Sequence, residues 1–421
     1  MLRTTATLIA LLTASTLSAE NWPNWRGPAN NGVAPGKGYP TKWSATENIA
    51  WKVPLPGKGT STPAVWNDNI FVSCCEEGKN LLLCLDRNGR ERWRVGLGEE
   101  RKGKNAKASG SNPSPATDGQ HVFAYFKSGD FACVDFSGKI VWQKNLQKLY
   151  GDDTLWWDLG TSPVLTKNFV VVACMHSGPS YVAAFKKATG DVAWKHDRNL
   201  DAPEEASQSY STPVVLTESD RETLIILGAD HVTAHEAATG RELWRVGGLN
   251  PTRHKYFRSI ASPTVSDGVV VAPYARAATI TGIRLGGGGD VTATHVAWKK
   301  EDLGTDVPTP VALNGRVYVC TDKGDVACLD VQSGKTLWSG QVEKHRLAYS
   351  SSPVVADGKI YITREDGKTF VLEQGSEFKV LSENELGEQT VASPAFVDGR
   401  ILIRTFDALY CIGRPAQAAS R

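Results

Sequence analysis

The chain has 421 residues, with 47 Lys and Arg against 45 Asp and Glu and a formal net charge of +2. Charges of both signs are scattered, which excludes the basic stripe of a nucleic-acid binder and the polybasic patch of a membrane-surface protein. A chain of about 400 residues ordinarily divides into two or three domains, but internal repetition here points to one closed unit.

In chain order, residues 1–19 come first. Arg3, an apolar stretch from Ala6 to Leu12 and a Ser18-Ala19 end before Glu20 form the pattern of a secretory signal peptide cut after Ala19. The stretch is too short and too rich in Thr and Ser for a membrane span. The first cysteine is Cys74, so no lipid anchor is expected at the cut. The sequence therefore predicts an exported, soluble monomer, periplasmic or secreted. Residues 20–47 form an N-terminal extension. Next, Ile49 to Val53, with Trp51, reads as the last strand of a repeat unit that has no unit before it.

From 48 to 413 one phrase recurs eight times. A Ser/Thr-Pro opens a short apolar run, a turn pair such as Asp-Gly follows, then a second run, a Gly-containing turn, a third run and Gly-x-x-x-Trp. The opening prolines are Pro63, Pro115, Pro163, Pro213, Pro263, Pro310, Pro353 and Pro394, spaced 41 to 52 residues apart. Alternating β-branched runs joined by turn residues are hairpin chemistry. Four strands per copy at this period predict an all-β, eight-bladed β-propeller of four-stranded antiparallel blades. Trp93, Trp142, Trp194, Trp244, Trp298 and Trp338 each end a copy, and all but Trp298 stand four residues after a Gly. Rings of this size are expected to dock one blade on the next. The eighth copy ends without a Trp, and Trp51 supplies it: the N-terminal strand is expected to close the ring beside Leu402 and Leu409. Residues 414–421 are a short tail.

The eight cysteines fall on repeating strand positions, which favours buried thiols over a disulfide framework. The hairpin at Asp322-Lys323-Gly324-Asp325 is read with Val319 facing Cys328, so that Cys320 and Cys328 point to opposite faces. The adjacent Cys74-Cys75 is read as coincidence. His231 and His235 share a strand face, and the structural reading of His235 outweighs a metal site. Gly286 to Gly289 reads as a flexible hairpin tip.

The segments CLDVQSGKTLW, AHEAATGRELW and AFKKATGDVAW resemble the tryptophan-docking repeat of pyrroloquinoline-quinone (PQQ)-like propellers, over nearly all of Asn48 to Gly413. The opening NWPNWRGP is similar to that of exported stand-alone members. The resemblance implies an eight-bladed ring and leaves two functions open. One branch holds quinoprotein dehydrogenases, with PQQ and calcium on the central axis and an Asp as base. The other holds the lipoprotein scaffold of the barrel-assembly machinery. The reading adopted is an exported, non-catalytic binding or scaffolding module in envelope or outer-membrane protein assembly, with a protein or carbohydrate partner. A PQQ- and calcium-dependent dehydrogenase of alcohols or sugars is the alternative.

Residues five places ahead of the opening prolines should ring the mouth of the channel: Lys58, Gly110, Asp158, Gln208, Arg258, Thr305, Ala348 and Gln389. Tyr210, Asp306 and Tyr349 lie close by. Loops from every blade converge there, so this mouth is the expected ligand site. Asp158, Asp306, Gln208 and Gln389 form the thin donor set available to calcium. In the linker Tyr150 to Asp158, adjacent Trp156 and Trp157 diverge if extended. One ring is expected to pack and the other, at Trp157, to face the mouth.

Overall fold

The computed structural model describes residues 20–414. Its strands form eight sheets, one for each copy of the repeat. Blades 1 to 7 occupy residues 64–99, 116–145, 164–197, 214–246, 264–300, 311–341 and 354–385. Blade 8 takes three strands from 395–412 and its fourth from Ile49–Pro54. The chain is an eight-bladed β-propeller. The segment expected to be a signal, 1–19, lies outside the described residues.

The closing strand Ile49–Pro54 runs antiparallel to Ala408–Ile412, with Trp51 opposite Cys411 and Val53 opposite Leu409. Leu402 is one strand further in, on Arg400–Arg404. Head and tail thus share one blade, with the N-terminal strand as its outermost strand.

The repeated Ser/Thr-Pro has a physical reason that only the ring reveals. The hydroxyl residue before each proline accepts a hydrogen bond from the backbone N–H of its counterpart in the preceding blade. Thr62 donates to Ser114 (2.9 Å), Ser114 to Ser162 (2.9 Å), Ser162 to Thr212 (3.0 Å) and Thr212 to Ser262 (2.8 Å). Ser262 donates to Thr309 (2.8 Å), Thr309 to Ser352 (3.0 Å) and Ser352 to Ser393 (3.0 Å). At the last junction the sense reverses, and Thr62 Oγ1 donates to the Ser393 carbonyl at 2.9 Å. These buried N–H groups have no ladder partner, so the belt satisfies them.

At the periphery, indole N–H groups bridge successive blades. Trp51 donates to the Arg87 carbonyl, Trp93 to Phe136, Trp142 to Lys187, Trp194 to Ala237, Trp298 to Val331 and Trp338 to Gly375, at 2.7–3.2 Å. The glycine of the next copy lies under each of the first four rings. At Gly190, with φ of +70°, an added Cβ would sit 2.6 Å from the Trp142 ring. That position needs glycine for both conformation and space. Trp244 is covered differently. Blade 5 lacks the glycine, and Gly289–Asp290 adds as a parallel strand beside Trp244 and Arg245. The run Gly286 to Gly289 is therefore not a free hairpin tip: it feeds a strand that pairs with the outer edge of blade 4, and Val291 N–H reaches the Arg245 carbonyl at 2.9 Å.

The cysteine register also needs correction. Tyr318 faces Cys328, Val319 faces Ala327 and Cys320 faces Val326. Gly324, at φ of +85°, lengthens the turn by one residue and slips the register, so Cys320 and Cys328 share a face. All eight thiols are free and buried.

The N-terminal extension crosses the axis on the side of the turns between first and second strands. Trp22, fully buried, exchanges both backbone hydrogen bonds with Val65 of blade 1. The Pro23 carbonyl accepts from Thr117 of blade 2 at 2.8 Å. Val33–Ala34 then joins blade 7 as a parallel strand beside Val355 and Ala356. Between these anchors, buried Arg26 donates to the carbonyls of Pro353 (2.9 Å), Pro310 (3.2 Å) and Asn31 (3.3 Å). The extension therefore stoppers one end of the channel.

Candidate functional site: a blind funnel on the axis

The other end stays open. Its wall is built from the linkers before the prolines and from the turns after the second strands. It encloses a cavity of about 390 Å³ lined by Trp157, Asp158, Arg258, Arg276, Asp322 and Glu365 among others. Below it, a chamber of about 220 Å³ is ringed by the hydroxyl belt and floored by Trp25. The two spaces share Thr60, Asn112, Trp157, Asp158, Ile260, Val307, Ser350 and Val391, so they form one blind funnel.

Of the sequence candidates, Trp157, Asp158, Arg258 and Ala348 line the upper funnel, and Trp157, Asp158 and Tyr210 line the lower chamber. Asp158 is buried and engaged: it accepts from Lys104 N–H (2.9 Å), Asn105 N–H (3.0 Å) and the Lys127 ammonium. Arg258 forks onto Asp306, with both N–O distances 2.9 Å, and its Nε lies 3.4 Å from Glu205. Fully buried Gln208 accepts at Oε1 from Trp156 N–H and the Tyr210 hydroxyl, each at 2.9 Å, and donates from Nε2 to Ser177 Oγ at 2.9 Å. Tyr210 Oη in turn accepts from Trp157 N–H at 3.1 Å. Gln208 and Tyr210 thus hold the Trp156-Trp157 turn.

Other candidates sit elsewhere. Lys58 bonds the Ala106 carbonyl and lies 4.3 Å over the Phe406 ring. Thr305 Oγ1 donates to the Pro308 carbonyl at 2.6 Å. Gln389 is exposed, and its carbonyl accepts from Phe406 N–H. Tyr349 is buried in the core between blades 6 and 7, and its hydroxyl donates to the Glu343 carbonyl at 2.6 Å. One residue before Ser350, it points away from the axis because successive strand side chains diverge. Neither tryptophan of the pair is buried, contrary to the expectation that one packs: Trp156 is 48% exposed and Trp157 41%. A tight turn, not an extended strand, carries them, and Trp157 Nε1 is tied to Glu205 Oε1 at 2.7 Å.

Sequence reasoning missed Arg276, Asp322 and Glu365. Each stands two residues after the end of its blade's second strand, Val269–Tyr274, Arg316–Cys320 and Lys359–Thr363. Lys127, His176, Asp230 and Phe406 hold the same place in other copies. The repeat therefore carried a second axial register besides the one counted back from proline. Glu365 accepts from Lys107 at 2.8 Å, so linker 100–110 reaches over the mouth to blade 7. Burial pushes the Asp322 carboxyl up, against the N–H groups of Asp306 (2.8 Å) and Val307 (3.1 Å) that it accepts.

Gln208, Asp158 and Asp306 face different partners, and Gln389 is off the cavity, so the four oxygen donors available to calcium do not meet at a point. Among the described residues no group of three or more His, Cys, Asp or Glu is placed to hold a metal ion. His235 uses both ring nitrogens on protein groups, Thr233 Oγ1 at 2.9 Å and the Gly240 carbonyl at 3.1 Å. The four donors weighed for calcium therefore do not form a site for it.

Eight blades with a hydroxyl belt, six of their junctions bridged by tryptophan, define the class: a PQQ-like β-propeller. The chain belongs to the family described as outer membrane protein assembly factor BamB, which matches residues 33–179, 178–376 and 276–412. It is 24% identical to the outer membrane protein assembly factor BamB of Yersinia pestis over 81% of this chain and 70% of that one. Against the BamB of Salmonella typhimurium it is 30% identical, over 51% of this chain and 53% of the relative. Among solved structures, BamB from Moraxella catarrhalis matches with a TM-score of 0.63 at 16% identity, covering 86% of this chain and 99% of that one. A europium-containing methanol dehydrogenase matches with a TM-score of 0.70 at 13% identity, covering 94% and 98%. Likeness at these identities between structures is likeness of fold.

Proposed function

We propose that the protein is an exported scaffold of the cell envelope that acts in outer-membrane protein assembly by holding a protein partner, without catalysis or a resident cofactor. The observation that carries this reading is the family match across the whole ring, 33–412. It is supported by an axis on which Asp158, Arg258 and Asp306 are already engaged by protein groups. Among the described residues no helix is long and apolar enough to cross a membrane. Half-exposed Val141, Val192, Leu337 and Leu381 lie on outer strands, where a partner strand can add to the sheet edge.

The test is capture from the native envelope. Tagged protein cross-linked in its own cells is expected to retain components of the outer-membrane barrel-assembly machinery, and its deletion to lower outer-membrane barrel levels. Retention of none, with unchanged barrel levels, overturns the reading. Incubation with PQQ and calcium is expected to give no quinone absorption band and no dye reduction with alcohols or sugars; a band with turnover would establish the dehydrogenase instead.

A further inference from the structure

We infer that the blind funnel is a binding site for one end of a neutral oligosaccharide, with Trp157 as its stacking platform. The inference stands independently of the assembly role.

Exposed indoles are ordinarily left loose or covered, because a large apolar ring in water is unfavourable. Here three groups from blade 4 and its approach hold the pair in place: Gln208 on the Trp156 N–H, Tyr210 on the Trp157 N–H and Glu205 on the Trp157 indole N–H. Glu205 is itself backed by Arg258, which is clamped by Asp306. The ring at the cavity wall is thus fixed before any ligand arrives, which removes most of the ordering cost of binding. Trp156 extends the surface outward to half-exposed Tyr256, with ring centroids 6.4 Å apart.

Lining chemistry selects the ligand class. The upper funnel presents three cations, Lys107, Arg258 and Arg276, and three carboxylates, Asp158, Asp322 and Glu365, so its formal charge balances. A polyanion finds no excess of positive charge there. A polyol, each hydroxyl of which both donates and accepts, suits mixed donors and acceptors beside an aromatic face. Arg276 is exposed and makes no hydrogen bond or ion pair among the described residues. It is held at the mouth by three successive left-handed residues, Ala275, Arg276 and Ala277, with φ of 56°, 50° and 72°. Strain of this kind in non-glycine residues collects where a side chain must be aimed. The cavity of about 390 Å³ falls within the range of roughly 300 to 1,000 Å³ usual for small-ligand sites. Trp25 and Arg26 stop the far end, so the ligand enters and leaves by one mouth and an extended chain cannot thread through.

The experiment is calorimetric titration of the full exported chain with neutral tetrasaccharides of glucose, N-acetylglucosamine and mannose, each at low and high NaCl. At least one is expected to bind one-to-one with an affinity that salt leaves unchanged. Trp157→Ala and Arg276→Ala are expected to weaken it, the former by about tenfold or more, while Trp157→Phe retains most of it and Val296→Ser, half-exposed on the outermost strand of blade 5, changes nothing. Absence of binding by all three sugars, or equal binding by wild type and both alanine variants, overturns the inference. So does binding confined to trigalacturonate, which would mark an anion site. Binding confined to an aromatic-rich β-strand peptide from an outer-membrane barrel would overturn it too and assign the funnel to protein.

Discussion

The two ends of the channel are walled by the same eight inner strands and the same hydroxyl belt, yet one is sealed and the other open. At the sealed end the extension is buried against the blades: Trp22 is fully buried, its indole N–H unpartnered among the described residues, and Arg26, with no carboxylate beside it among them, is held by three carbonyls, two of them from blades 6 and 7. Burial without a counter-charge lowers its pKa, to about 9, so holding that cation has a cost which the surrounding packing offsets. At the open end, buried groups are spent on keeping two indoles exposed. The difference teaches that repeats make the wall, while segments outside the repeat decide what each end does.

The most severe way to break this comparison is to remove the sealed end together with the closing strand. Deleting residues up to Val53 takes away Trp22, Arg26 and the fourth strand of blade 8, and cooperative thermal unfolding is expected to disappear. A truncated chain melting like the full one would mean the ring closes without its head. Removing only the stopper is gentler. Trp22→Ala is expected to cost about 3 to 5 kcal/mol in denaturant unfolding, the usual range for a fully buried large aromatic ring.

The wall between the ends responds to acid. Burial pushes the His235 imidazole down to about 3, although the Gly240 carbonyl opposes the shift. Unfolded chains take up this proton below about 6.5, and the folded protein does so only near 3. The contribution is thus whole above the higher value and is lost as pH falls toward the lower, at up to about 1.4 kcal/mol per pH unit. His235→Gln should flatten that slope, and the stabilities of wild type and variant should converge on acidification. If the two curves stay parallel, the imidazole is not held neutral. The smallest effect is expected at the open end, where Trp157→Ala should change stability by only about 0.5 kcal/mol. A loss comparable to that of Trp22→Ala would make the exposed ring a packing element and erase the contrast between the ends.

Most of the fold was legible because packing recurs. Eight prolines report a contact made round the whole ring, the glycine four before Trp one made under five tryptophan rings, and the orphan strand at Trp51 the one pairing that closes the last blade. The site was legible only in part. Counting back from proline found Asp158, Arg258 and Ala348 but also drew in Lys58, Gln208, Thr305 and Gln389, because linkers of unequal length turn equivalent positions toward different surroundings. The residue two past each second strand, which yields Arg276, Asp322 and Glu365, lies on a tight turn where the geometry repeats more faithfully. Nothing in the composition of 20–47 announced that it would cross the axis; that path depends on partners in blades 1, 2, 6 and 7, far off in sequence.

The pairing of Lys52 with Tyr410 carries a consequence for synthesis. Protein chains are made from the amino end, so the strand around Trp51 exists long before the one it must join. Until the last blade is translated, the ring cannot shut: Trp51 can meet blade 1 at Arg87, but its strand has no partner at Tyr410 and the Trp22 ring lacks its neighbour Phe396. A prematurely terminated copy would therefore display sticky surface and an unpaired strand, marking itself for disposal, whereas a finished one hides both at a single stroke.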